Sequence, residues 1–144
     1  MTIDRSGTFW TGSERADIAE YLRALTADSY PADRVIHATC ACGNARFRLS
    51  VDADEGCAQR TCTSCKQKHL ICDSAESWAD ASAKPVKCPC GGKEFDVAVA
   101  FSHRDDGSLR WITVGERCTA CGVLGAAVDW KIDYEPTHHL YEAV

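Results

Sequence analysis

Several features are missing from this sequence, and each absence removes a class of function. No run of eighteen apolar residues exists, so no membrane-spanning helix is expected. The stretch Met1-Thr-Ile-Asp-Arg-Ser-Gly7 has no apolar core, which predicts no signal peptide and a cytoplasmic location. There is no Gly-x-Ser-x-Gly, no phosphate-binding loop and no His-Glu-x-x-His. A His-x-Glu followed by Pro-Cys-x-x-Cys is also absent, which argues against a zinc deaminase. With no catalytic constellation in sight, a non-enzymatic role is favoured. Excess positive charge is lacking too: 16 Lys and Arg face 21 Asp and Glu, a formal net charge of −5. Nucleic-acid affinity rests mainly on phosphate neutralisation, so this balance favours another protein, or a basic surface, as partner.

What the chain does have is cysteine, ten in 144 residues. A secreted disulfide scaffold is one reading of such a count. The missing secretion signal and the spacing argue against it. Eight cysteines fall in close pairs, and a C-x2-C pair suits two ligands on one metal while straining a disulfide between its own members. The pairs belong to a duplication. Cys40-Ala-Cys-Gly-Asn-Ala-Arg-Phe-Arg-Leu-Ser-Val51 and Cys88-Pro-Cys-Gly-Gly-Lys-Glu-Phe-Asp-Val-Ala-Val99 match at an offset of 48 residues. Both cysteines, the glycine, the phenylalanine and an alternating apolar tail coincide. Each copy is followed by a second pair, Cys62-Thr-Ser-Cys65 or Cys118-Thr-Ala-Cys121.

Around this duplication the chain divides into five parts. Residues 1–37 form an N-terminal helix and arm. Ile18, Tyr21, Leu22 and Leu25 recur at three and four, a helical stripe over about 14–27 with Thr11 or Ser13 as its cap. A helix this short is marginal alone, so it should dock on the rest, with Phe9 and Trp10 pinning its start. Val35–Thr39 reads as a short strand or extended arm. Residues 38–73 are repeat one, with strands near 46–51, 57–62 and 68–73. Residues 74–87 are a linker, with Trp78 expected between the modules. Residues 88–134 are repeat two, with strands near 94–101, 109–116 and 123–134. Cys42 to Cys62 spans 20 residues and Cys90 to Cys118 spans 28, so the hairpin of repeat two is the longer. Residues 135–144 read as an extended tail, packed only in part.

A knuckle, a strand, a hairpin return and a second knuckle, twice over, resemble the zinc-ribbon family. The resemblance covers about residues 38–73 and 86–134. It implies a small metal-bound, mainly β fold: two tandem three-stranded antiparallel modules beside an N-terminal α-helix. Carried over position by position, it gives Cys40, Cys42, Cys62 and Cys65 as ligands of one Zn2+. Cys88, Cys90, Cys118 and Cys121 would hold a second, two zinc ions per chain. The family usually has C-x2-C at its first knuckle, whereas both repeats here have the tighter C-x-C. Four thiolates around a dication carry −2, so two such sites lower the effective charge to about −9.

Cys57 and Cys72 are left over. Aligned from the second knuckles, Cys72 matches Val128 and Cys57 matches Thr113, so both read as buried strand residues. A redox pair is the sharper alternative. Among the histidines, His37 could in principle replace a ligand, while His69, His103 and the pair His138-His139 read as solvated residues or, for the pair, a weak third metal site. Three functions follow. The first is a non-enzymatic zinc protein presenting a rigid acidic surface to a protein partner, as an adaptor, regulator or immunity-type protein. The second is nucleic-acid binding through Arg46, Arg48, Arg60, Lys66 and Lys68 of repeat one. The third is a thiol redox or metal-responsive protein using Cys57 and Cys72.

Overall fold

The two copies of the duplicated stretch pair with each other. The computed structural model describes residues 3–144. Its elements are α1 (Asp17–Thr26), β1 (Arg34–His37), β2 (Phe47–Asp52), β3 (Cys57–Cys62), β4 (Lys68–Leu70), α2 (Ala75–Trp78), β5 (Lys84–Pro85), β6 (Phe95–His103), β7 (Leu109–Cys118) and β8 (Leu124–Lys131), followed by a 3-10 helix at His138–Glu142. All strands join one antiparallel sheet in the order β4-β3-β2-β6-β7-β8. The fold is therefore a small, mainly β structure with two four-cysteine clusters, as expected.

The junction between the repeats is Phe47 of β2 opposite Phe95 of β6, antiparallel. These are equivalent residues, 48 apart. Equivalent residues paired across an antiparallel junction define a local two-fold axis. The remaining contacts obey it. The amide of Ala38 donates to the Val97 carbonyl at 2.9 Å, and the amide of Val86, its counterpart, donates to the Leu49 carbonyl at 2.9 Å. β1 lies along β6, with Ile36 opposite Val99. β5 lies along β2, with Lys84 opposite Val51, which is the same pair moved by 48. The linker thus hides a strand equivalent to β1, and each repeat's entry strand crosses to the other repeat.

The sheet has two faces. Phe47, Leu49, Val97, Val99, Phe101, Ile112, Val114, Val128 and Trp130 form one core shared by both repeats. On the other face of β6 and β7, Ala98, Ala100 and Gly115 leave room for a helix, and α1 lays Ile18 and Leu22 there with Leu124. A methyl group on Gly115 would lie 2.7 Å from a Leu22 Cδ, so the helix touches the sheet backbone. The helix begins later than its stripe suggests. Neither Thr11 nor Ser13 caps it; instead the Asp17 carboxylate accepts from the amides of Ser13 and Glu14 at 2.9 and 3.2 Å.

Two other expectations change. Trp78 is only half-buried. The tail is not extended, because it turns into the 3-10 helix and buries Leu140 and Val144 in the main core. Tyr134 is 37% exposed, and it shares the Asp73 carboxylate with Trp130 at 2.7 and 2.9 Å. Among the described residues no helix is long and apolar enough to cross a membrane.

Because Leu22 is fully buried between helix and sheet, Leu22→Ala should lower unfolding free energy by about 2–4 kcal/mol. Chemical denaturation with unchanged denaturant sensitivity would check it. A loss under about 1 kcal/mol would mean α1 is not fixed on the sheet.

Candidate metal centres

Each repeat brings its four cysteines to one point: Cys40, Cys42, Cys62 and Cys65 in one group, Cys88, Cys90, Cys118 and Cys121 in the other. Within each group every sulfur lies within 4.8 Å of the others, and each group could hold a metal ion. Sulfur pairs across each cluster include Cys40–Cys65 at 3.5 Å, Cys42–Cys62 at 3.6 Å, Cys88–Cys121 at 3.4 Å and Cys90–Cys118 at 3.7 Å. A tetrahedron with metal–sulfur bonds of about 2.3 Å has sulfurs roughly 3.8 Å apart. None of the ten cysteines is in a disulfide. The donor set and its spacing therefore fit a tetrahedral, thiolate-bound ion.

The backbone builds both sites the same way. In the first knuckles the amide of Gly43 donates to the Cys40 carbonyl, and that of Gly91 to the Cys88 carbonyl, each at 2.8 Å. In the second, the amides of Lys66 and Gly122 donate to the Cys62 and Cys118 carbonyls. The residue after each pair is left-handed: φ is +94° at Gly43, +93° at Gly91 and +83° at Gly122. Lys66 takes the fourth such position at φ +65° without being glycine. Burial opposes ionisation of Cys62, yet hydrogen bonds from the Cys65 amide, the Asn44 amide group and the Ser64 amide outweigh it and bring the thiol down to about 5. The Gly92 amide is the main reason Cys90 falls to about 7. In the same clusters Cys65 rises to about 11 despite the Gln67 amide, through its contact with Cys40 and burial, and burial pushes Cys88 up to about 12.

Around this shared frame the sites differ. Asn44 donates to the Cys62 sulfur at 3.2 Å, to the Arg46 carbonyl at 2.8 Å and to the Thr63 hydroxyl at 3.1 Å. Its counterpart is Gly92, where a Cβ would lie 2.8 Å from the Cys118 sulfur. No side chain fits there. Sequence reasoning passed over Asn44, although its place directly after Cys-Gly was the available signal.

A larger difference sits two residues before each second knuckle. Arg60 of β3 faces Leu49, and Glu116 of β7 faces the equivalent Val97. Arg60 is 7% exposed, with its guanidinium over the Phe47 ring at 4.6 Å and close enough to Cys40 and Cys62 to feel their charge. Its Nε and Nη2 donate to the Val144 carbonyl oxygen at 3.2 and 2.9 Å. Arg60 therefore does not join the exposed cations proposed for nucleic acid. Arg46, Arg48, Lys66 and Lys68 are exposed, and Arg48, Thr61 and Lys68 lie in one row across β2, β3 and β4. Glu116 is 9% exposed, and its Oε2 has no hydrogen-bond partner. Burial pushes its carboxyl up to about 7. Strand alternation could have exposed it, since Glu116 shares its sheet face with Val114 and Ile112.

The leftover residues fall into place separately. Cys57 is fully buried, and burial raises its pKa; burial raises that of half-buried Cys72 further. The Cys72 sulfur contacts the Leu140 carbonyl at 3.5 Å. His37 is half-buried with Nδ1 unpartnered and is in neither cysteine group. His69 is not simply solvated, because its Nε2 pairs with the Ala143 carbonyl at 2.8 Å. His103 links Asp33, at 2.5 Å, to the Tyr141 hydroxyl. His138 and His139 are exposed on the 3-10 helix.

Comparison with protein-family models, with curated proteins and with solved structures finds no match to this chain.

Three outcomes follow from the centres. Asn44→Ala should weaken metal binding at the first site about 10–100-fold and leave the second unchanged, read by chelator competition; equal loss at both sites would contradict the assignment. Lys66→Gly should stabilise the fold by about 0.5–1 kcal/mol, the left-handed strain relieved less the chain entropy added. Glu116 has a folded pKa above its ordinary value of 4.5, so its ionised form is the one the fold disfavours. That penalty is absent below the unfolded value and complete above about pH 7. Glu116→Gln should therefore stabilise the protein at pH 8 by roughly 3 kcal/mol, with the gain shrinking as pH falls toward 5; a pH-independent difference in melting would refute this.

Proposed function

We propose that this chain is a non-enzymatic zinc protein whose two structural four-cysteine sites stiffen a sheet that docks another protein. Zinc is the ion that closed, all-thiolate tetrahedral sets suit best, and four protein ligands leave no open position for catalysis. The observation that carries the interaction role is an open groove of about 420 Å³ between the N-terminal segment and α1, lined by Thr8, Phe9, Trp10, Tyr21, Leu25 and Leu124. Phe9 is 49% and Leu25 52% exposed. Two large apolar side chains flanking one concavity favour a docking surface over scattered surface exposure. Trp10 packs edge-on to Tyr21 at 5.7 Å, so the groove wall is held in shape. An adaptor, regulator or immunity-type role fits such a surface.

A second reading keeps the row Arg48-Thr61-Lys68, with Arg46 and Lys66, as a nucleic-acid face. The cations favour it; the net charge of −5 and the absence of an aromatic in that row disfavour it. The redox reading is weaker still, because thiols with raised pKa are poor nucleophiles.

Tagged protein should hold two zinc ions and retain a stoichiometric partner from native lysate. Leu25→Asp should lose that partner with melting and zinc content unchanged. Recovery of nothing by the wild-type bait, or equal recovery by Leu25→Asp, would sink the docking role. Steeply salt-dependent retention of a nucleic-acid probe would install the second reading instead.

A further inference from the structure

The local two-fold axis relates the surroundings of Arg60 to those of Glu116, and the two are filled differently. In repeat one, Arg60 and its neighbour His69 on β4 hold the carbonyl oxygens of Val144 and Ala143. The chain's own last residues occupy that place, with Val144 buried in the core. In repeat two the equivalents of Arg60 and His69 are Glu116 and Gly125, opposite each other on β7 and β8. No segment of the described chain fills the corresponding position. A cavity of about 170 Å³ stands there beside the second cysteine cluster, lined by Val86, Cys88, Phe95 and Val123 with Glu116 and Gly125. Gly125 is what gives the carboxyl its room, since a Cβ on it would lie 2.7 Å from Glu116 Oε1. Lys87 also lines the cavity but forms no ion pair with Glu116.

We infer that this cavity receives a cationic side chain, an alkylammonium or guanidinium group, that donates to Glu116. The argument is one of complementarity. A buried acceptor without a donor costs free energy that a bound donor restores. The apolar walls suit the methylene stem of a lysine or arginine, and the carboxyl suits its tip. Where repeat one meets carbonyl oxygens with N–H donors, repeat two offers a carboxyl as the acceptor. Phe9 and Leu124 line both this cavity and the groove beside α1, so the two adjoin. The inference rests on the docking role only in naming what carries the cation: a partner segment with a lysine or arginine next to the apolar residue that fills the groove.

The test uses the zinc-loaded full chain and three small probes of equal length: n-butylammonium, 1-butanol and butyrate. Backbone amide shifts are followed by NMR. Butylammonium should move Gly125 and Glu116 with saturation in the millimolar range, as expected for so small a ligand. Butanol and butyrate should move them far less. Glu116→Gln should weaken butylammonium at least tenfold while keeping the fold. Gly125→Ala, which crowds the carboxyl, should weaken it too. Equal response to butanol, or undiminished butylammonium binding in Glu116→Gln, would overturn the inference. Leu25→Asp should leave butylammonium binding intact, so failure of the docking role and failure of the cation pocket are read separately.

Discussion

One row of side chains holds the molecule together. Across β3, β2, β6 and β7 the residues directly opposite one another are Cys62, Phe47, Phe95 and Cys118. Cross-strand neighbours share a face, so both phenylalanines lie between the two cysteine clusters, fully buried. Each cluster anchors the end of a hairpin, and the phenylalanine pair joins the hairpins. One repeat alone would bury too little apolar surface to be robust without such staples. The cysteine clusters and the shared core are therefore one device: a cluster opened at Cys62 would loosen the strand that carries Phe47, and through it the opposite repeat.

Much of this was written in the sequence. The offset of 48 and the alternation behind each Cys-x-Cys-Gly located the hairpin strands to within a few residues, because period-two burial and knuckle spacing are local signals. The eight cysteines that converge were those the spacing pointed to. What escaped was long-range. Lys84-Pro85 has no alternation long enough to announce a strand, and its partner β2 lies more than thirty residues away. Leu140 and Val144 carry no periodicity, so a docked tail looks like a loose one. Arg60 seemed a surface cation because arginine usually is; only the fold reveals that alternation had put it on the core side.

The duplication copied a backbone and then let its electrostatics diverge. The knuckle hydrogen bonds repeat pair by pair. Yet one cluster is attended by Asn44 and a buried guanidinium, the other by a bare glycine and a buried carboxyl. Backbone geometry fixes how four sulfurs meet, while the charges beside them set how tightly an ion is held and what else can approach. A carboxyl that burdens folding near neutral pH persists only where the surroundings over-determine it, and such positions concentrate at functional sites.

The crossing of the entry strands has a consequence during synthesis. The β2 edge that β5 and β6 will cover stays open until residues 84–95 have left the ribosome. Until then the nascent chain exposes a strand edge and, close by, four thiols. Elongation at roughly 5–20 residues per second leaves that interval at seconds. Open edges invite mispairing, and free thiols invite oxidation. Early capture of an ion by the first four cysteines would protect both, which gives repeat one, with its better-furnished site, a reason to come first in the chain.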